Sequence, residues 1–332
     1  MSSKIIRVAL VGLSANATTS WAAAAHLPYL QSARGQTQYK VVALLNSSKE
    51  AAERARSHFN LPSTVKAYGD PAQLAADDEV DLVSVVTRVD KHYSAAEPSI
   101  RAGKAVYVEW PLTESLKRSV ALLGENKGRD TSIIGLQGRL SPVASKIKEV
   151  LASGRIGKVL DSQFKDFQSK LQIRWPEVEI VNNDGVKLRT RQSDIPDLIT
   201  AHGELAPGVA DIQDGATLST FFRSGPTFKD ELPYVWYIQG QRGDLKITSP
   251  IGPILQAATV PGVKIELHDC ITDEVTEIPW ESEWKDWQNE LQWFQQEDRE
   301  AVPVGGDWPR LEDAIRRHEE LDKMLNDFDK TN

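Results

Sequence analysis

IIRVALVGLSANATTSWAAAAHLPYL, residues Ile5–Leu30, decides the fold. Ile5–Val11 is apolar throughout except for Arg7, and an unbroken apolar run of this length suits a strand buried on both faces of a parallel sheet. The run ends at Gly12, and Trp21–Gln31 reads as a helix. Outward from this segment come a strand at Tyr39–Leu45, a helix at Lys49–Phe59, a short helical piece at Pro71–Ala76 and a strand at Asp81–Val86. A helix at His92–Ala102, closed by Gly103, leads to a strand at Ala105–Val108, a helix at Leu116–Leu123, a strand at Ser132–Leu136 and a helix at Val143–Ala152. Strands alternating with helices over short connections require right-handed crossovers, which predicts a doubly wound α/β domain.

Beyond Ile156-Gly-Lys the rhythm changes. Val159–Phe167, Val178–Val181, Thr217–Phe222, Tyr234–Gln239, Asp244–Ile247 and Val263–Leu267 read as strands, with turn residues Asn183-Asp-Gly and Gln241-Arg-Gly between some of them. Two helices follow, Trp284–Glu300 and Leu311–Phe328. The boundary is expected near Gly154–Gly157, giving a doubly wound domain over 1–155 and an α+β domain over 156–332 built on an open, mainly antiparallel sheet. In Trp284, Trp287, Leu291 and Phe294 the apolar residues fall at helical spacing, so these rings and Trp280 are expected in a core rather than in a ligand wall.

The 332 residues allow two cores, and 39 Lys+Arg against 47 Asp+Glu leave a net charge of −8, which argues against a general nucleic-acid or anionic-membrane binder. One cysteine, Cys270, excludes an internal disulfide, and with no Cys/His pairs at zinc spacing no metal site is expected. Nothing approaches a membrane span, and Met1–Lys4 enters the first strand without a charged leader region, so a cytoplasmic chain is expected, or a nuclear one if it is a regulator.

A strand that ends in glycine before a helix lets backbone N–H groups approach a pyrophosphate, because glycine has no Cβ in the way. Gly12 holds that position, although many α/β proteins have such a turn without a ligand. In place of further glycines the loop offers the hydroxyls of Ser14, Thr18, Thr19 and Ser20, with Ser20 also a candidate helix cap. The second strand ends in Asn46, followed by Ser47, Ser48 and Lys49, where an acid would receive the adenosine ribose. An uncharged residue beside a cation does not repel a 2′-phosphate, so NADP is expected to be accepted at least as well as NAD, with a slight lean to NADP; an ordinary turn and cap is the other reading. Thr87-Arg88 and Glu109-Trp110-Pro111 also fall at strand C-terminal ends, where open α/β sheets bind ligands.

Val11–Leu30, Val80–Tyr93 (VDLVSVVTRVDKHY), Ala102–Leu112 (AGKAVYVEWPL) and Gly135–Pro142 (GLQGRLSP) together resemble the glucose–fructose oxidoreductase/inositol dehydrogenase (Gfo/Idh/MocA) family, and within it the fungal branch that contains the galactose-pathway repressor. The resemblance implies NAD or NADP as cofactor, with Gly12, Ser14, Asn46, Ser47, Thr87, Arg88, His92, Glu109, Trp110 and Gln137 along it. His92 reads equally well as a cap or packing residue. It also implies a sheet in the second domain that serves as substrate platform and oligomer interface, so self-association is expected.

Two departures bear on activity. Family oxidoreductases carry a lysine after the glutamate; here it is Trp110, whose indole does not exchange a proton near neutral pH. The family's helix bearing a catalytic aspartate and histidine is missing, because Phe164-Lys-Asp-Phe-Gln-Ser-Lys-Leu runs directly to Arg174-Trp-Pro-Glu-Val-Glu. Among what remains, Trp110, His202 and Asp166 are the catalytic candidates, and Asp161, Lys165 and Lys170 flank the deletion. Three functions fit: an NAD(P)-dependent oxidoreductase on a sugar-like or small carbonyl/hydroxyl substrate, a non-catalytic NAD(P)-sensing regulator with a protein partner, and a non-redox cyclase or isomerase.

Overall fold

The structure is a computed structural model, and it describes residues 5–17, 19–124, 132–158, 164–182, 184–205, 213–253, 255, 262–280 and 309–329. The chain divides into two compact units, Met1–Ser141 with Trp284–Glu319 and Pro142–Glu283 with Glu320–Asn332. The last helix, Leu311–Asp329, therefore contributes to both.

The first unit is built on six strands: β1 (Ile6–Val11), β2 (Tyr39–Leu45), β3 (Lys66–Tyr68), β4 (Leu82–Val85), β5 (Ala105–Glu109) and β6 (Ile133–Gly135). They form one parallel sheet in the order β3-β2-β1-β4-β5-β6. The apolar run of β1 is explained by its two buried faces. Ala9 and Val11 enter one core cluster and Leu10 enters another on the opposite side, all at most 2 % exposed. Helix starts follow local chemistry: Ser48 Oγ accepts from Ala51 N ahead of Lys49–His58, and Asp70 Oδ1 accepts from Ala72 N ahead of Pro71–Ala75.

Three differences from the sequence expectation matter. The helix after Gly12 opens with a π turn, Ala22–His26, before Leu27–Gln31. The helix expected from His92 spans Val89–Arg101, starting a turn earlier. The edge strand β3 was not expected, since three residues, Lys66-Ala-Tyr, are too short to show a period.

The second unit contains β7 (Phe164–Gln172), β8 (Glu177–Val181), β9 (Lys187–Gln192), β10 (Leu198–Leu205), β11 (Thr217–Arg223), β12 (Tyr234–Gln239), β13 (Gly243–Ser249), β14 (Lys264–Asp269) and β15 (Glu274–Glu277). Every pairing among them is antiparallel, in ladders ordered β11-β10-β7, β12-β13-β14-β15 and β8-β9. β9 and β15 escape a sequence reading because both are exposed along their whole length and so carry no alternation. The core here joins Ile147, Val150 and Leu151 of the helix Pro142–Ala152 to Ile238, Leu245, Ile247, Ile265 and Leu267. Trp280 belongs to it, buried with its Nε1 donating to Val263 O at 3.0 Å, as expected of a core ring. Trp284, Trp287 and Trp293 lie outside the described residues.

Candidate functional site

The strand order of the parallel sheet reverses between β1 and β4, and at such a switch point the loops leaving the two strands part and open a crevice. Gly12 stands on one lip with φ +93°, a backbone state that disfavours any side chain. A Cβ on it would lie 2.3 Å from Val86 O and 2.8 Å from Thr87 Cγ2, so the bare backbone is what allows β1 and β4 to end side by side. Leu13 is fully buried and packs downward among Leu10, Leu27, Leu44 and Val86. Its side chain therefore belongs to the core beneath the loop.

Along the loop Ser14 Oγ accepts from Asn16 N at 3.3 Å, and Ser20 Oγ accepts from Ala23 N at 3.3 Å, which makes Ser20 the cap it was expected to be. Thr18 lies outside the described residues. Asn46 Nδ2 donates to Leu13 O at 2.7 Å, tying the β2 end to the glycine loop. Its Oδ1 is a buried acceptor that receives no donor among the described residues. A glycine cradle and an acceptor awaiting a hydroxyl are what the ribose–pyrophosphate part of a dinucleotide requires, so these residues fit that group. Ser47 is exposed beside Asn46.

Thr87 Oγ1 points to Arg88 O at 3.4 Å, and the exposed Arg88 pairs with Asp90 at 3.2 Å. His92 is buried with Nδ1 2.8 Å from Pro111 O and Nε2 2.9 Å from Thr87 O. The ring thus lies between two backbone carbonyls, either of which can accept its N–H, and it sits between the loop after β4 and the loop after β5. Gln137 opens the short 3₁₀ turn Gln137–Leu140. Arg139 of that turn pairs with Asp313 at 3.2 Å.

Glu109, at the end of β5, is a heavily engaged buried carboxylate. Its Oε1 is approached by His26 Nε2 at 2.7 Å, Trp21 Nε1 at 3.0 Å and the Tyr107 hydroxyl at 3.0 Å. With the carboxylate accepting, the imidazole proton sits on Nε2, and Nδ1 receives the Ser84 hydroxyl at 3.4 Å. Tyr107 and His26 also meet edge to face at 5.2 Å. Burial first, and then the Glu109 charge, hold the Tyr107 hydroxyl far above the usual phenol range. Gly135 completes the pocket around the carboxylate: a Cβ there would lie 2.4 Å from the Tyr107 hydroxyl and 2.7 Å from Glu109 Oε2.

The sequence reading did not find Trp21, His26 and Tyr107 as partners. Tyr107 was within reach of it, since residues two apart on a strand share a face. Trp21 and His26 were not, because residues five apart diverge around an α-helix and come nearly into line only in the wider π turn.

Trp110, next in sequence, is half-buried, and its ring lies 5.0 Å from that of His318 in the last helix. The observed ring partner of the indole is thus a histidine 208 positions along the chain, and it packs against the core that includes Leu311 and Ala314.

Residues 6–131 match the model of the oxidoreductase family with an NAD-binding Rossmann fold, and residues 155–249 match that of the C-terminal domain of Gal80p. The chain belongs to the Gfo/Idh/MocA family, near its Gal80 branch. It is similar to the dehydrogenase aclE of Aspergillus oryzae, 29% identical over 306 residues that cover 78% of this chain and 80% of that one. It is also similar to the galactose/lactose metabolism regulatory protein GAL80 of Saccharomyces cerevisiae, 25% identical over 74% of this chain and 67% of that one. A solved structure of a super-repressor mutant of Gal80p from the same yeast shares the fold with a TM-score of 0.84 at 19% identity, over 99% of this chain and 97% of that one. Levoglucosan dehydrogenase in complex with NADH and L-sorbose shares it with a TM-score of 0.71 at 13% identity, over 98% and 97%.

In the second unit of this Gfo/Idh/MocA chain, β7 passes to β8 through the four residues Ile173–Pro176, with no helix between the two strands. His202 is on β10 and opposes Gln168 and Ser219; its Nδ1 is 2.7 Å from Ser219 Oγ. Asp166 opposes Glu204, so it shares the exposed face of this ladder with His202. Lys323 donates to Asp166 at 3.2 Å, and that bond and its charge hold the carboxyl below the ordinary carboxylate range. Lys170 is exposed, whereas Asp161 and the Lys165 side chain lie outside the described residues. Among the described residues no helix is long and apolar enough to cross a membrane.

Proposed function

We propose that this chain is an NAD(P)-dependent oxidoreductase acting on a sugar-like or small carbonyl/hydroxyl substrate. The observation that carries the reading is the bare Gly12 backbone at the β1/β4 switch point, closed to any Cβ and flanked by an unmatched Asn46 acceptor. Gly12 and Ser14 would face the pyrophosphate, Asn46 and Ser47 the adenosine ribose, and Thr87, Arg88 and Gln137 the remainder, with Glu109 nearest the nicotinamide ribose. His92 would act by fixing the Thr87 and Pro111 backbones. When bound, the nicotinamide would supply or accept a hydride. Asn46 in place of an acid, with Lys49 opening the next helix, favours NADP over NAD. The proton that accompanies the hydride would pass to His202, to Asp166 or to solvent, because the Trp110 indole cannot carry it. Self-association is part of the reading: Trp175, Val186, Leu188, Ile195, Phe221 and Phe228 of the second unit each leave more than half of their surface exposed. A cytoplasmic protein is the corresponding location.

A second reading, a non-catalytic NAD(P)-sensing regulator with a protein partner, draws on Trp110 in the family's lysine position and on the match to the Gal80p C-terminal domain. Titration with NADPH and NADH, followed by nicotinamide fluorescence, tests both. Binding with consumption on a panel of polyols, aldehydes and imines supports the oxidoreductase. Binding without consumption moves the case to the regulator. No fluorescence change removes both and leaves a non-redox cyclase or isomerase.

A further inference from the structure

β13 and β14 pair so that Asp244 stands directly opposite His268. Two residues past His268, Cys270 emerges where β14 turns toward β15, and its N–H donates to Arg242 O at 3.0 Å, which pins the turn to the start of β13. The turn is further fixed by Asp269 Oδ1, which accepts from Ile271 N at 2.8 Å and Thr272 N at 3.2 Å, and by Asp273 in the left-handed region at φ +58°. One carboxylate oxygen, one imidazole nitrogen and one sulfur, from Asp244, His268 and Cys270, thereby come to lie within 4.8 Å of one another. The Arg242 guanidinium is directed to the Gly154 carbonyl, and Arg155 acts on Asp269 through its charge.

The chemistry of the set is selective. A thiolate and an imidazole prefer borderline and soft ions to magnesium or calcium, and one sulfur, one nitrogen and one oxygen are a ligand combination that zinc accepts. Asp273 Oδ1 lies 2.8 Å from His268 Nε2. A carboxylate in that position keeps the ring proton on Nε2 and leaves Nδ1 with a lone pair, which is how metal-bound histidines are generally held. Around tetrahedral zinc the ligand atoms stand roughly 3.3–3.8 Å apart, given bonds of about 2.0–2.3 Å. Since no edge here exceeds 4.8 Å, none must close by more than about 1–1.5 Å, and Cys270 is exposed on a turn where it can adjust.

We propose that Asp244, His268 and Cys270 form a site for a borderline divalent transition ion, zinc by preference, with a fourth position open to water. It is independent of the nucleotide reading, since all its residues belong to the second unit. Spacing along the chain gave no warning of it because the third ligand comes from the neighbouring strand.

Co(II) titration of the full chain under a phosphine reductant tests the proposal, because Cys270 is the single cysteine and any thiolate-to-cobalt charge-transfer absorption must come from it. One equivalent is expected to bind with that absorption, and zinc is expected to displace cobalt and raise the melting temperature. Cys270→Ser should abolish the band, Asp244→Asn and His268→Ala should weaken binding at least tenfold, and Asp273→Asn should weaken it by about 10–100-fold. Far-UV circular dichroism and the melting temperature of the metal-free protein serve as the folding control for each variant. Absence of the band in the wild type overturns the proposal, and so does a band of equal strength in His268→Ala, which would indicate an adventitious thiolate contact only.

Discussion

Removing the Glu109 carboxylate, the one acid among the described residues of the parallel sheet, should markedly destabilise the nucleotide unit. Three donors converge on one oxygen, but they are not equal. Trp21 is 38% exposed and can turn its indole N–H to water, whereas His26 and Tyr107 are each 1% exposed and cannot. A buried donor left without a partner costs about 1–3 kcal/mol. Two such donors give about 2–6 kcal/mol for Glu109→Ala, and relief from burying the carboxylate lowers the expected loss to about 2–4 kcal/mol, a large share of a typical stability of about 5–15 kcal/mol. Glu109→Gln keeps an oxygen for the donors and exchanges charge-assisted bonds for neutral ones, a loss of about 1–2 kcal/mol. Tyr107→Phe deletes one of the stranded donors, so the double variant Tyr107→Phe/Glu109→Ala should be less damaged than the sum of its parts by about 1–2 kcal/mol. Urea unfolding followed by far-UV circular dichroism, with the Cm and slope compared across wild type and the four variants, measures this. An alanine variant within about 0.5 kcal/mol of wild type, or strict additivity in the cycle, would refute the picture of Glu109 as the hub of this network.

Gly12→Ala places a Cβ 2.3 Å from Val86 O at φ +93°; it should lower stability by about 1–3 kcal/mol and weaken NADPH binding at least tenfold in a fluorescence titration. Asn46→Asp puts a negative charge where a 2′-phosphate would lie, so the NADPH/NADH affinity ratio should fall by about tenfold, or about 1.4 kcal/mol, by the same titration. Trp110→Lys should leave turnover on any accepted substrate unchanged, because one restored group does not replace the missing helix; a robust increase in a nicotinamide-absorbance assay would overturn that account. Burial alone would raise Asp77, but the Glu79 amide at 3.0 Å, Lys66 at 2.9 Å and the Tyr68 hydroxyl at 2.7 Å outweigh it and hold the carboxyl below its ordinary range. A depressed carboxyl stabilises the fold above its unfolded value and loses that contribution as pH falls through the lower folded one. Asp77→Asn should therefore lower the melting temperature by about 2–4 °C near neutrality, and the difference should shrink in a calorimetric pH series as pH falls through and below the ordinary carboxylate range.

The parallel sheet was legible because β1, β2, β4 and β5 are apolar for a reason that is local to each strand: helices cover both faces. Gly12 was legible because a strand-ending glycine has a backbone meaning independent of the rest of the chain. β9 was not, since Lys187-Leu-Arg-Thr-Arg-Gln is held by its pairing with β8 and buries nothing that would impose a period. The partners of Glu109 and the Asp244–His268–Cys270 set were hidden for a shared reason. In both cases contact depends on geometry between segments, a π turn in one and strand register in the other, and composition does not encode either.

The π turn carries a consequence for what this chain can tolerate. Deleting any single residue from Ala22–Ala25 would bring Trp21 and His26 to an α-helical separation of four with a different heading, and at least one of them would lose Glu109. Exchanging those alanines for other small residues leaves the count, and hence the aim, untouched. The segment thus works as a gauge of length: how many residues separate the indole from the imidazole matters more than which residues they are.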